Sequence, residues 1–211
     1  MTGNELLAIF RQRIDDVGKK LVSDAVFLDF LNEAQEEAVT RGNLKIDRVT
    51  FTTSGLSYDL DESIYAVARI KLTDSSGEIS FIDPVDRITQ NDKFPEWRTT
   101  TEKPSGFIQY DTHIELNRLP DAVYTLELEC YVLPNKLYSL AQEPDLARVH
   151  HRKLLYWCYH SFYETIDMDV NAEALSMKNK VMFDKVFGYR PLSTSRRKQF
   201  AVVPHRNKAY V

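Results

Sequence analysis

Apolar residues with a helical period open the chain. Thr2, followed three residues later by Glu5, matches a capping box, and the apolar positions after it stay on one helical stripe as far as about Lys20. Ser23 is a second candidate N-cap, and Gly42-Asn43 is typical of a helix end. The pattern predicts two helices that form an antiparallel hairpin.

From about Lys45 the period of the apolar positions changes from helical to alternating, which indicates strands. Alternation is clearest over 124–132, where one face is apolar and the other is partly polar, and this favours an antiparallel sheet. Residues 74–77 predict a hairpin loop. Asp83-Pro84 resembles an N-cap with proline at the first helical position, so a short helix is expected to run from there through Ile88.

The helical period returns in the last third of the chain. Pro144 precedes a third predicted helix over about 145–166, and a fourth, capped by Asp169 or Asn171, ends at Gly188. The first two helices cannot bury their apolar stripes alone, so we expect them to pack on the last two. The predicted fold class is α+β, a four-helix bundle with an inserted antiparallel β domain and an extended C-terminal tail. Its regions are a helical hairpin over 1–44, the β domain over 45–135, a second helical pair over 136–189 and the tail over 190–211.

The third predicted helix is apolar around nearly its whole circumference. A helix of this kind must be buried on all sides, and one bundle core would cover only about half of it. Two explanations stay open. The helix is either central, clamped between bundle and sheet, or part of a subunit interface, where aromatic side chains are enriched. The candidate interface residues are Tyr156, Trp157, Tyr159, Phe162 and Tyr163.

The net charge of −4, from 27 Lys and Arg against 31 Asp and Glu, conceals an asymmetry. Six of the basic residues and no acidic residue lie in 190–211, which leaves 21 basic and 31 acidic residues, a net charge of −10, in 1–189. Apolar residues such as Leu192 and Val202 are interleaved with the basic ones. This mixture favours a segment that folds onto an acidic, grooved protein partner, the alternatives being a solvated tail or contacts with nucleic-acid phosphates.

Patterns that carry chemistry are scarce. The chain has seven glycines, and the closest two, Gly42 and Gly55, are 13 positions apart, so no phosphate-binding glycine loop can be written. His150 and His151 are adjacent on a predicted helix, point about 100° apart and cannot both bind one metal ion. Residues 59–63 resemble the start of a calcium loop but lack its glycine and closing Glu, so we interpret them as a polar turn.

Cys130 and Cys158 lie in apolar stretches and are interpreted as buried, free thiols of an intracellular protein. No signal peptide is expected, and the densest apolar run, 154–159, is far shorter than the ~20 residues of a membrane span. The sequence therefore predicts no cofactor, no metal, no membrane partner and no enzymatic activity.

Five short stretches in a fixed order along the chain carry a resemblance to a known family. They are Leu31–Gln35, Gly55–Leu60, Pro104–Phe107, Ile114–Leu116 and Pro120–Tyr131, followed by the last helical pair and the tail. With this layout, which covers essentially the whole chain, the protein resembles the head-to-tail adaptors of short-tailed bacteriophages, also called gatekeepers or tail tubular protein A.

The resemblance implies a virion protein of the head-tail junction, assembled in the host cytoplasm, that forms a twelvefold ring below the portal. Its helices would pack between neighbours, its β region would face the tail nozzle, and the isolated subunit can be a monomer. An acidic body would let double-stranded DNA pass without sequence specificity. The C-terminal segment would dock on the portal. The residues given this role are Arg190, Arg196, Arg197, Lys198, Phe200, Arg206, Lys208 and Tyr210.

Two other functions are carried as alternatives. A nucleic-acid-binding protein would use the basic tail as an electrostatic arm. An enzyme would need a site that folding assembles from distant residues, for example around His151 or His160. Binding to portal, to DNA or to neither would distinguish these hypotheses.

Overall fold

The structure, a computed structural model, describes residues 1–16, 18, 21–166 and 170–189. The described chain forms two compact units. Of the described residues, the helical unit takes Met1–Lys45 and 133–189, and the sheet unit takes Ile46–Val132. The helices are α1 (Gly3–Arg13), α2 (Asp24–Gly42), α3 (Arg87–Lys93), α4 (Arg148–Thr165) and α5 (Ala172–Phe187). The strands are β1 (Ile46–Thr52), β2 (Ser57–Asp59), β3 (Ile64–Thr73), β4 (Ile79–Pro84), β5 (Gly106–Gln109), β6 (His113–Leu116) and β7 (Thr125–Val132).

The start of α1 is as predicted, but its end is not. The capping box at Thr2 is present, whereas the helix ends at Arg13 instead of near Lys20. Asp15 adopts a left-handed conformation with φ of 56°, which a continuing helix does not allow. The carboxylate of Asp16 then accepts hydrogen bonds from two backbone N–H groups beyond the turn. Local side-chain bonding therefore replaces the last predicted turns of helix.

Helix α4 lies at the centre of the helical unit, where α1, α2 and α5 all pack on it. Phe10 of α1 stacks on Tyr159 of α4 with ring centroids 5.1 Å apart, and Phe27 of α2 lies 5.0 Å from the same Phe10 ring. Arg41, at the end of α2, pairs with Glu37 in its own helix and with Asp184 of α5. An aromatic core and a buried ion pair thus hold the helices together.

The sheet unit is a seven-stranded sheet of order β1-β7-β3-β4-β5-β6-β2. Strand β7 is central to one half and pairs antiparallel with β1 and β3. Its Leu126, Leu128 and Cys130 point into the core, and the residues between them point away from it. The predicted hairpin loop at 74–77 joins β3 to β4.

The predicted fold class is wrong in its architecture. The described residues form five helices and a mixed sheet, not a four-helix bundle with an antiparallel β domain. The expected helix at Asp83-Pro84 is the end of β4, and Asp86 caps α3 instead, accepting a hydrogen bond from the Thr89 backbone N–H. The chain then crosses over through α3, so β5 pairs parallel with β4. A parallel pair needs such a crossover, and alternation within single strands does not reveal it.

Candidate functional site

The aromatic residues predicted at a subunit interface lie in or beside the core of the helical unit. Trp157, Tyr159 and Phe162 are buried, while Tyr156 and Tyr163 are partly buried at the edge of the same cluster. Burial raises the pKa of Tyr159 to about 12. A role for these five side chains at a subunit interface stays a prediction.

Helices α1 and α4 enclose a cavity of about 670 Å³ that opens on the surface of the helical unit. We call it the basic groove, because Arg13, Arg152 and Lys153 line it. Within the described part of the chain no carboxylate forms an ion pair with any of the three. The guanidinium of Arg13 lies 4.4 Å from the centroid of the Tyr159 ring. The other residues that line the basic groove are Ile9, Gln12, Val149, Leu155, Tyr156 and Tyr159.

The spacing of residues on α4 explains the composition of the groove. Arg152 and Lys153 lie three and four residues after Val149, and Tyr156 lies four and three residues after them. The four residues therefore share one face of the helix. Val149 is 66% exposed although it is apolar. Sequence reasoning missed this surface because it treated the helix as apolar all round, and the two adjacent basic residues were the signal that could have revealed it.

A second charged surface lies on α2. Asp29, Glu33 and Glu36 are exposed and lie at steps of four and three along one helical stripe. The Ser161 hydroxyl of α4 donates a long, 3.5 Å hydrogen bond to Glu33. We call this stripe the acidic ridge. The basic groove and the acidic ridge share no residue.

The histidines considered as catalytic candidates have structural partners. The two rings of His160 and His151 are buried. Nδ1 of His160 lies 2.6 Å from the Ser176 hydroxyl, which links α4 to α5, and its Nε2 lies 3.4 Å from the Glu164 carboxylate. Nε2 of His151 lies 2.9 Å from the Leu146 carbonyl oxygen. Burial lowers the pKa of His160, which keeps its ring neutral at pH 7. Neither histidine lines the basic groove.

The remaining chemical candidates are also structural. Both cysteines are buried free thiols, as predicted, and burial raises the pKa of each, that of Cys130 to about 12. The predicted polar turn is confirmed at Asp61, whose carboxylate accepts a 2.9 Å hydrogen bond from the Ser63 N–H. The hydrogen bonds with Ser63 lower the pKa of Asp61. Across the described ranges, no three His, Cys, Asp or Glu side chains lie together as metal ligands.

The predicted docking segment lies outside the described residues, so its role stays a prediction. This applies to Arg190, Arg196, Arg197, Lys198, Phe200, Arg206, Lys208 and Tyr210. Among the helices that the structure describes, none is long and apolar enough to cross a membrane.

Comparison with known protein families gives a match over nearly the whole chain. A family model described as SU10 adaptor protein matches residues 1–206, and no curated protein matches the chain. The match confirms the resemblance to phage head-to-tail adaptors. Such an adaptor is a structural component of the virion that contacts other head or tail proteins, which implies a non-enzymatic role. The chain thus belongs to the SU10 adaptor protein family.

Proposed function

We propose that this protein is a ring-forming head-to-tail adaptor that docks on the portal and connects it to the tail nozzle. Twelve copies form the ring, which assembles in the host cytoplasm, and the segment 190–211 is the docking arm. The ring forms part of the channel through which the genome is retained and then ejected. The observation that carries the proposal is the family match over 1–206, which includes both described units and most of the arm.

The distribution of charge supports separate roles for 1–189, as the body of the ring, and for 190–211, as the docking arm. Residues 1–189 have 31 acidic and 21 basic residues, whereas 190–211 has six basic residues and no acidic one. A negatively charged wall repels DNA phosphates, so an acidic body suits a channel that DNA must pass through without binding to it. A basic segment with interleaved apolar residues suits an acidic groove on a protein partner.

Native mass spectrometry of the full chain mixed with portal protein tests the proposal. We expect a complex in which the portal ring carries twelve copies, and we expect deletion of 190–211 to abolish it. The matched control is Arg196→Lys combined with Arg197→Lys, which keeps the charge of the arm and should retain binding. A portal ring that stays bare with the full chain would contradict the proposal.

The basic arm also favours a second candidate function, in which 190–211 is an electrostatic arm for nucleic acid. Six basic residues that neutralise phosphates would make DNA affinity fall steeply with salt. Binding of duplex DNA that depends on salt and is lost on deletion of 190–211, without any binding to portal, would support this alternative.

A further inference from the structure

We propose that the basic groove binds the acidic ridge of a second copy of this chain. The groove, between α1 and α4, and the ridge, on α2, are different surfaces of one unit. Their contact would therefore be heterologous, and repeated heterologous contacts close into rings when the rotation between copies permits. The inference rests on the proposed ring and names the side chains that join its subunits.

The groove has the shape and lining of a site for an amphipathic helix. It is enclosed by two helices and has a volume of about 670 Å³. Its apolar lining includes Val149, which is 66% exposed, and Tyr156. A helix laid against such a groove removes this apolar surface from water.

The charges of the groove select an acidic occupant. Within the described chain, Arg13, Arg152 and Lys153 have no carboxylate partner. Three cations at one apolar site repel one another, and an occupant with carboxylates relieves that repulsion. The exposed face of α5, with Lys178 and Lys185, has the wrong charge for this role.

The acidic ridge has the matching charge on a long helix. Asp29, Glu33 and Glu36 lie on one stripe of α2, which has 19 residues. The first and last of them are about 10 Å apart along the helix axis, since each residue adds about 1.5 Å. A regular helix with three carboxylates on one face suits a cationic, apolar groove better than nucleic acid does, because phosphates gain nothing from the exposed valine.

Reciprocal charge reversal tests the contact. One variant is Arg152→Glu with Lys153→Glu, and the other is Asp29→Lys with Glu36→Lys. Sedimentation equilibrium of the full chain should show self-association in the wild type and at least about tenfold weaker association in each variant alone. An equimolar mixture of the two variants should recover the wild-type association, because every groove then meets a ridge of opposite charge.

A matched control separates the contact from a general effect of charge. Lys178→Glu with Lys185→Glu makes the same charge change on α5 and should leave self-association unchanged. If the mixture fails to recover association, or the control weakens it equally, the inference is wrong. Salt-dependent binding of duplex DNA that is lost in Arg152→Glu with Lys153→Glu would also overturn it, in favour of nucleic acid as the occupant.

Covalent trapping tests the contact when self-association is too weak to be detected by sedimentation equilibrium. A chain with Lys153→Cys and Glu36→Cys should form an intermolecular disulfide ladder under oxidation, since the two native cysteines are buried. The control pair Lys178→Cys and Glu36→Cys should not form one. Equal ladders from both pairs, or none from either, would overturn the inference. Portal binding by the same variants, measured in parallel, shows whether only the groove contact or the proposed adaptor role has failed.

Discussion

The helical unit and the sheet unit place their charged side chains differently. In the helical unit Arg41 is 4% exposed, lies 2.8 Å from Glu37, and has its guanidinium 4.9 Å from the centroid of the Trp157 ring. In the sheet unit Arg48 is 66% exposed and lies 3.3 Å from Glu129 on the outer face. The helical unit thus uses an ion pair inside its core, whereas the sheet unit keeps its ion pairs in contact with water.

The degree of burial decides how much each ion pair affects the free energy of unfolding. A buried charge that loses its partner stays in a medium of low dielectric constant, and the cost is several kcal/mol. A pair that is in contact with water, such as the partly exposed Lys71–Glu127 pair at 3.3 Å, exchanges its partner for water at little cost. The outer face of the sheet can therefore change its charges freely, while the centre of the helical unit cannot.

The largest expected effect is that of Arg41→Ala. It removes the cation that pairs with the buried carboxylate of Asp184 and with the partly buried carboxylate of Glu37, and it should lower the free energy of unfolding of the helical unit by about 4 kcal/mol. Urea denaturation monitored by hydrogen exchange of each unit measures it. Combining Arg41→Met with Glu37→Gln and Asp184→Asn should recover much of the loss, since no charge is then left unpaired. A triple variant as unstable as Arg41→Ala would contradict this explanation.

The sheet unit should respond instead to loss of apolar volume. Leu128 is fully buried at the centre of β7, so Leu128→Ala should cost about 3 kcal/mol through lost burial and a residual cavity. Hydrogen exchange should show the loss of protection mainly in the strands. The matched control is Thr125→Ala, an exposed position on the same strand, which should have little effect. Equal losses of stability in Leu128→Ala and Thr125→Ala would contradict the conclusion that only one face of β7 packs in the core.

The pH dependence of stability should distinguish the two units. Burial lowers the pKa of His160, and burial together with the nearby Lys153 lowers that of His150. The unfolded chain then binds protons more readily than the folded one. The contribution of each histidine to the free energy of unfolding is fully present above pH 6.5, the ordinary pKa of histidine. It decreases as the pH drops below this value, by up to about 1.4 kcal/mol per pH unit for each histidine.

Hydrogen exchange of the helical unit at pH 7.5 and pH 5.5 measures this slope. His160→Gln should flatten it, because one of the two groups is removed. His113→Gln, a substitution in the sheet unit, should leave the slope of the helical unit unchanged. A slope that survives both His160→Gln and His150→Gln would show that other groups cause it.

The smallest expected effect is that of Arg48→Ala. Its pairs with Glu127 and Glu129 are on the outer face of the sheet, and their loss should change the free energy of unfolding by less than about 1 kcal/mol. Raising the salt concentration should reduce even this difference, because screening weakens exposed pairs. A cost similar to that of Arg41→Ala would remove the contrast between the units.

Local signals in the sequence predicted the ends of several elements correctly. The capping box at Thr2 is present, α2 ends at Gly42 with Asn43 in the left-handed conformation, and Gly188 follows α5. Each of these depends on the residue itself and its near neighbours. The apolar composition of α4 predicted its central position only in part, because Leu154 and Trp157 are buried whereas the face with Val149 and Arg152 is exposed.

Features that depend on distant partners could not be predicted. The crossover that makes β4 and β5 parallel depends on which strand edges meet, and the hydrogen bonds of Asp16 end α1 earlier than its apolar stripe indicated. The basic groove needs Arg13 from α1 beside Arg152 and Lys153 from α4, which are far apart in the sequence. Such sites form only when packing brings the helices together.

One measurement tests the central claim, that this chain is a head-to-tail adaptor which builds a ring on the portal. Negative-stain electron microscopy of portal particles mixed with the full chain shows directly whether a second ring is added. We predict an added layer with twelvefold symmetry, absent when residues 190–211 are deleted. Portal particles that look the same with and without the full chain would contradict the account.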